Sequence, residues 1–121
     1  MSKDLRIVLL LDCYGDFLTA HQREMMELYY GEDLSLGEIA KLQNVSISRQ
    51  GVRDAIKRGE QILQAMEEKL HFAQRILTLR ENYTSLSVSL TQIAQVDAEN
   101  EMLQSLCKKA QEQVSEGLKL L

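Results

Sequence analysis

The sequence predicts an all-α protein, and three observations carry that reading. There is no proline and there are only 6 glycines in 121 residues, too few turn formers for the repeated hairpins of a β-sandwich or barrel. Two pairs, Thr19 with Gln22 and Ser35 with Glu38, stand ahead of apolar runs in the spacing of helix capping boxes. From Val52 onward, apolar and small residues recur at alternating steps of four and three, which is a helical period. The 13.8 kDa chain is long enough to build a core without disulfide or metal staples.

A first helix is expected from Ser2 to Tyr14, capped by Ser2, with Leu5, Val8, Leu9, Leu11 and Cys13 on its apolar side. Gly15-Asp16 interrupts it. The second helix starts at Thr19, buries Met25, Met26, Leu28 and Tyr29, and stops at Gly31. Ser35 opens a short helix through Leu36, Ile39, Ala40 and Leu42, and Asn44, which tolerates a left-handed backbone, ends it in a tight turn. Tyr29 and Tyr30 read as core and core-edge residues.

A long helix then begins near Ser48. Its seam runs Val52, Ile56, Gly59, Leu63, Met66, Leu70, Ala73 and Leu77, a heptad pattern thinned by the glycine and the alanine. Continued to about Tyr83, it makes a rod of roughly 50 Å. Such a rod needs cover, either from a second copy in a homodimer or from the C-terminal helix folding back. Residues 84–91 alternate polar and apolar, but a lone strand is unstable, so they read as a Ser-rich break or a frayed continuation. The last helix carries Leu103, Cys107, Ala110, Val114, Leu118 and Leu121 on one stripe, with Asp97 as its cap. Its acidic start and its later lysines suit the helix dipole.

Charge is unevenly distributed. The net charge is −4, so the whole chain is not a polybasic coat. Yet residues 41–58 hold five basic side chains (Lys41, Arg49, Arg53, Lys57 and Arg58) against Asp54 alone, in an otherwise acidic chain. Cys13 and Cys107 lack paired metal spacing and read as reduced thiols of a cytoplasmic protein. No signal-peptide layout and no apolar run of membrane-spanning length is present. His21 and His71 stand without neighbouring ligands, Glu67 and Glu68 point to different sides of a helix, and no phosphate-cradling glycine pattern occurs. Neither a metal, a cofactor nor catalysis is expected.

The capped pair followed by a basic helix reads as a helix-turn-helix, in which the second helix enters the major groove. Val52, Ala55 and Ile56 supply the docking side. Arg49, Gln50, Arg53 and Lys57 supply the nucleic-acid side, with Arg58 nearer the phosphate rim. Arginine can fork onto guanine and glutamine onto adenine, while lysine and peripheral arginine mainly neutralise phosphates.

Leu18-Thr19 with Gln22, Leu28-Tyr29-Tyr30, the run from Asp33 to Ala40 and the run from Ser48 to Arg58 together resemble the bacterial YlxM-type helix-turn-helix proteins, which are similar to region 4 of sigma factors. The resemblance covers about the first 70 residues, ending around Glu67 to His71. It implies a helix-turn-helix domain of sigma region 4 type (winged-helix-like) over residues 1–70 of a cytoplasmic, all-helical regulatory protein. Residues 71–121 match only in being helical and read, from their uncovered seam, as a helical extension for packing or dimerisation. With the basic island on the second helix of the capped pair, the reading is a non-enzymatic regulator that binds nucleic acid, DNA ahead of RNA. Through neighbouring genes the family is linked to the signal recognition particle pathway, which points to the particle protein Ffh as a partner. The alternative reading is an adaptor for Ffh or its RNA whose helix-turn-helix surface binds no nucleic acid. One departure affects the register: the segment from Lys41 to Ile47 is two residues longer than the family pattern. Either Ser46 or Ser48 can cap the recognition helix, and the choice rotates it by about 200°.

Overall fold

The computed structural model describes residues 3–42 and 44–121. They form helices α1 (Leu5–Tyr14), α2 (Ala20–Met26), α3 (Leu36–Ala40), α4 (Arg49–Leu70), α5 (Phe72–Val96) and α6 (Glu101–Lys119), and no strand occurs among them. The chain divides into two compact units, the first ending at Ala73 and the second running from Gln74 to Leu121.

Capping chemistry fixes where the first unit's helices begin. The Asp4 side chain accepts from the Arg6 N–H at 2.9 Å and caps α1; Ser2, expected in that role, lies outside the described residues. Thr19 and Gln22 form the anticipated reciprocal box, each side chain accepting from the other's backbone N–H at 3.1 Å. Ser35 and Glu38 repeat it at the start of α3. The helical segment stops at Gly31 as expected, but by a different route. Among the described residues no glycine is left-handed; α2 runs on through a π turn, Glu27–Gly31, and the chain reverses at Asp33, with φ 55°. Asp33 accepts from Lys3 Nζ at 2.7 Å, and that ammonium lies 4.4 Å from the centre of the Tyr29 ring.

The core of this unit is assembled around α4. Val52, Ile56 and Leu63 are fully buried and pack with Ile7, Leu10, Tyr14, Met25, Met26, Tyr29 and Ile39. Gly59 permits the closest approach: a Cβ there would fall 2.3 Å from the Met26 sulfur. The residue the periodicity placed in a thin seam is therefore the contact point of α4 with α2.

The long rod is not continuous. His71 adopts φ 57° and ends α4, so Ala73 and Leu77 belong to α5. A helix start leaves backbone donors without partners, and here side chains supply them. The Tyr14 hydroxyl donates to Glu67 Oε1 at 2.6 Å and accepts from the Phe72 N–H at 3.1 Å, while Glu67 Oε1 also accepts from the Ala73 N–H at 3.1 Å. Burial, together with the Glu67 carboxylate, pushes the Tyr14 phenol above its ordinary pKa. The seam needs no second copy along α4, because α1 and α2 already cover it.

The second unit corrects two further expectations. Residues 84–91 are helical throughout, within α5. The Ser89 and Thr91 hydroxyls donate back to the carbonyls of Ser85 and Ser87 at 3.2 and 3.1 Å, a satisfaction that the polar alternation conceals. Asn100, not Asp97, caps α6, accepting from the Leu103 N–H at 3.0 Å. Helix α6 returns antiparallel along α5: Gln104 Nε2 donates to the Ala94 carbonyl at 2.7 Å, Gln111 Nε2 to that of Ser87 at 2.8 Å, and Arg80 to that of Leu121 at 2.5 Å.

Two outcomes test this packing. Gly59→Ala adds a methyl where Met26 stands; overpacking costs about 1–3 kcal/mol against a helix-propensity gain of about 1 kcal/mol. Urea denaturation should therefore show a net loss in the native background and a gain when Met26→Ala is present, and equal effects in both would contradict the contact. Hydrogen bonds from the Ser35 backbone and side chain hold the Glu38 carboxyl below its ordinary value of 4.5. A depressed carboxylate stabilises the fold above its unfolded pKa, and that stability disappears as pH falls through the folded value. Glu38→Gln, which keeps the box but cannot titrate, should flatten the acid side of the stability profile below about pH 4.5.

Candidate nucleic-acid interface

Ser48 decides the register that the longer segment left open. Its backbone is extended (φ −70°, ψ 164°), and its hydroxyl accepts from the Gly51 N–H at 3.1 Å. Helix α4 therefore starts at Arg49. Gln43, within the same segment, lies outside the described residues; beside it, the Asn44 amide donates to Glu24 Oε1 at 3.1 Å.

With α4 started there, the burial pattern sorts its two edges. Val52, Ala55, Ile56, Gly59 and Leu63 face inward. Arg49, Gln50, Arg53, Lys57 and Arg58 are all exposed, spread over the first three turns. Among the described residues no acidic side chain forms an ion pair with Arg49, Arg53, Lys57 or Arg58. Two depressions flank this ridge. One is lined by Leu36 of α3 with Arg49, Gln50 and Arg53. The other lies between the start of α2 and α4, lined by Thr19, His21, Gln22, Lys57, Arg58 and Gln61 among others.

Gln50 is the site residue with a defined internal partner: its Nε2 donates to Asp54 Oδ1 at 3.0 Å. In the sequence, Asp54 reads only as the exception in a basic run. The i,i+4 spacing of Gln50 and Asp54 was the available signal, because residues four apart on a helix are neighbours. The pair fixes the Gln50 amide and leaves an acceptor carboxylate amid the cations, a group able to accept from a cytosine amine. Leu36, Thr19 and Gln61, which shape the flanking depressions, carried no signal of their own, since their placement depends on how α2 and α3 pack on α4.

No group of three or more His, Cys, Asp or Glu among the described residues is arranged to hold a metal ion. Cys13 and Cys107 are both thiols. No helix formed by the described residues is long and apolar enough to cross a membrane.

Comparison with known proteins agrees with this geometry. The model of the family described as "Putative helix-turn-helix protein, YlxM / p13 like", UPF0122, matches residues 1–104. A UPF0122 protein of Acetivibrio thermocellus is 51% identical over 77 residues, which cover 64% of this chain and 64% of that protein. One from Desulforamulus reducens is 58% identical over 70 residues, 58% of each. The chain thus spans less than two thirds of the length of these two relatives. A relative in Thermoanaerobacter sp. strain X514 is 39% identical over 108 residues, covering 89% of this chain and 91% of its own length. Matched by the family model across most of its length, the chain belongs to the UPF0122 family of YlxM/p13-like helix-turn-helix proteins.

Proposed function

We propose that this protein is a non-enzymatic regulator that binds duplex DNA through α4, acting in the cytoplasm within the signal recognition particle pathway. The observation that carries the binding step is the outward edge of α4. Four exposed cations without acidic partners project from the second helix of a capped helix-turn-helix, and the opposite edge is locked into the core. Cations placed in this way release counterions from phosphates and supply most of a protein's sequence-independent affinity. Arg49, Gln50 and Arg53 stand nearest the N-terminal end of α4, the part of a recognition helix that meets base edges. Lys57 and Arg58 lie further along, where backbone contact is expected. The pathway assignment and a contact with Ffh rest on the family resemblance alone.

The adaptor reading keeps one supporting observation: α5 and α6 display apolar side chains to solvent, as a protein-binding element would. In that case α4 carries no ligand and the second unit does the work.

Fluorescence anisotropy with a panel of duplex DNAs and the particle's 4.5S-type RNA, at two salt concentrations, separates these readings. Duplex binding is expected to weaken with salt, with a log–log slope near −0.9 for each phosphate neutralised. Arg49→Glu with Arg53→Glu should abolish it while the circular dichroism of the chain stays helical. Tighter binding to the RNA than to every duplex would move the ligand class to RNA. Equal affinity of the native chain and the variant, or no binding to either nucleic acid, would reject the proposal in favour of the adaptor.

A further inference from the structure

The hairpin of the second unit leaves half of a heptad seam uncovered. Along α5, Ile76, Leu79, Tyr83, Leu86, Leu90 and Ile93 step by three and four without a polar interruption. Ile76, Tyr83 and Leu90 are partly covered, whereas Leu79, Leu86 and Ile93, spaced by seven, are 43%, 46% and 47% exposed. Within this unit only Cys107 and Val114 count as buried. A hairpin of that size has too small a core to stand without further cover.

Helix α6 widens the same face. The hydrogen bonds between the two helices bring Leu106 level with Ile93 and Leu120 level with Leu79. A turn of 100° per residue then points Leu106 and Leu120 to the side occupied by Leu79, Leu86 and Ile93. Both are exposed. The resulting face is two helices wide, about 20 Å, and about 21 Å long.

We propose that this face binds the same face of a second copy of the chain, two hairpins closing into an antiparallel four-helix bundle. Three observations select that occupant. A strict seven-residue apolar repeat is the period at which helices supercoil and interdigitate. About a two-fold axis at Leu86, the spacing is self-complementary: Leu86 meets its counterpart, and Leu79 of one copy meets Ile93 of the other. In the same register Arg75 of one copy lies opposite Asp97 of the other, and both side chains are exposed. A parallel pairing would instead set Arg75 against Arg75. The dimer does not rest on the nucleic-acid reading, since α5 and α6 carry its contacts and α4 carries the cations.

Light scattering and sedimentation of the full chain over a concentration series test it. The native chain should show twice the 13.8 kDa chain mass. Leu86→Glu, at a position already exposed, should give a monomer with unchanged helical circular dichroism. Arg75→Asp and Asp97→Arg should each weaken the dimer by roughly tenfold or more, and combining them should restore it. A native chain that stays monomeric at every concentration overturns the proposal and leaves the face to a different protein. So does a dimer indifferent to Leu86→Glu, and so does one strengthened by Arg75→Ala, which would relieve an Arg75–Arg75 clash and mark a parallel pairing.

Discussion

The burial of one edge of α4 is the constraint on which the rest of the first unit depends. Val52, Ile56 and Leu63 are fully enclosed, and Gly59 lets the Met26 side chain lie against the helix backbone. Burying a large apolar side chain is worth about 1.5–3 kcal/mol, whereas exposed ion pairs contribute about 0–1 kcal/mol each. The apolar edge therefore sets the rotation of α4. Arg49, Arg53, Lys57 and Arg58 point to solvent as a consequence, with no acidic neighbour needed to hold them there. The Ser48 cap agrees with that rotation: a start two residues earlier would turn the same side chains by about 200° and lose the docking.

Much of this was legible from residue order. Both capping boxes, the Met25–Met26–Tyr29 core face and the exposed basic edge follow from local rules, in which neighbours three and four positions apart decide the outcome. What remained hidden depends on distant partners. The end of α4 at His71 is stabilised by Tyr14, more than fifty residues earlier, and by Glu67 acting as a surrogate cap for α5. No window around residue 71 contains that information, and the continuous heptad spacing argued against a break. The Ser-rich stretch was misleading for the opposite reason. Its hydroxyls bond back to carbonyls four residues earlier, so a composition typical of breaks sits inside an unbroken helix. Of the candidate site, the side chains were legible; the surrounding relief contributed by Thr19, His21 and Leu36 was not, because it is made by tertiary packing.

The two units solve burial differently. In the first, α1 and α2 enclose α4, aromatic hydroxyls find carboxylate acceptors (Tyr14 with Glu67, Tyr30 with Glu60), and burial with the adjacent carboxylate drives the Tyr30 phenol well above its ordinary pKa. In the second, two helices are joined by Gln104, Gln111 and Ser87 as much as by apolar contact, and a regular apolar row stays in water. Family membership extends through residue 104, so the matched region includes α5 and that row as well as the helix-turn-helix.

The orientation of α4 is tested most directly by single-cysteine reactivity along it, in a chain whose Cys13 and Cys107 are replaced by alanine. Cysteines placed one at a time at positions 49–58 and 63 are challenged with a thiol reagent under native conditions. Fast labelling at 49, 50, 53, 54, 57 and 58, with protection at 52, 55, 56 and 63, is the pattern this structure requires. Protection at 49 and 53 with fast labelling at 52 and 56 would show the helix turned over, its cations facing inward, and would contradict the account.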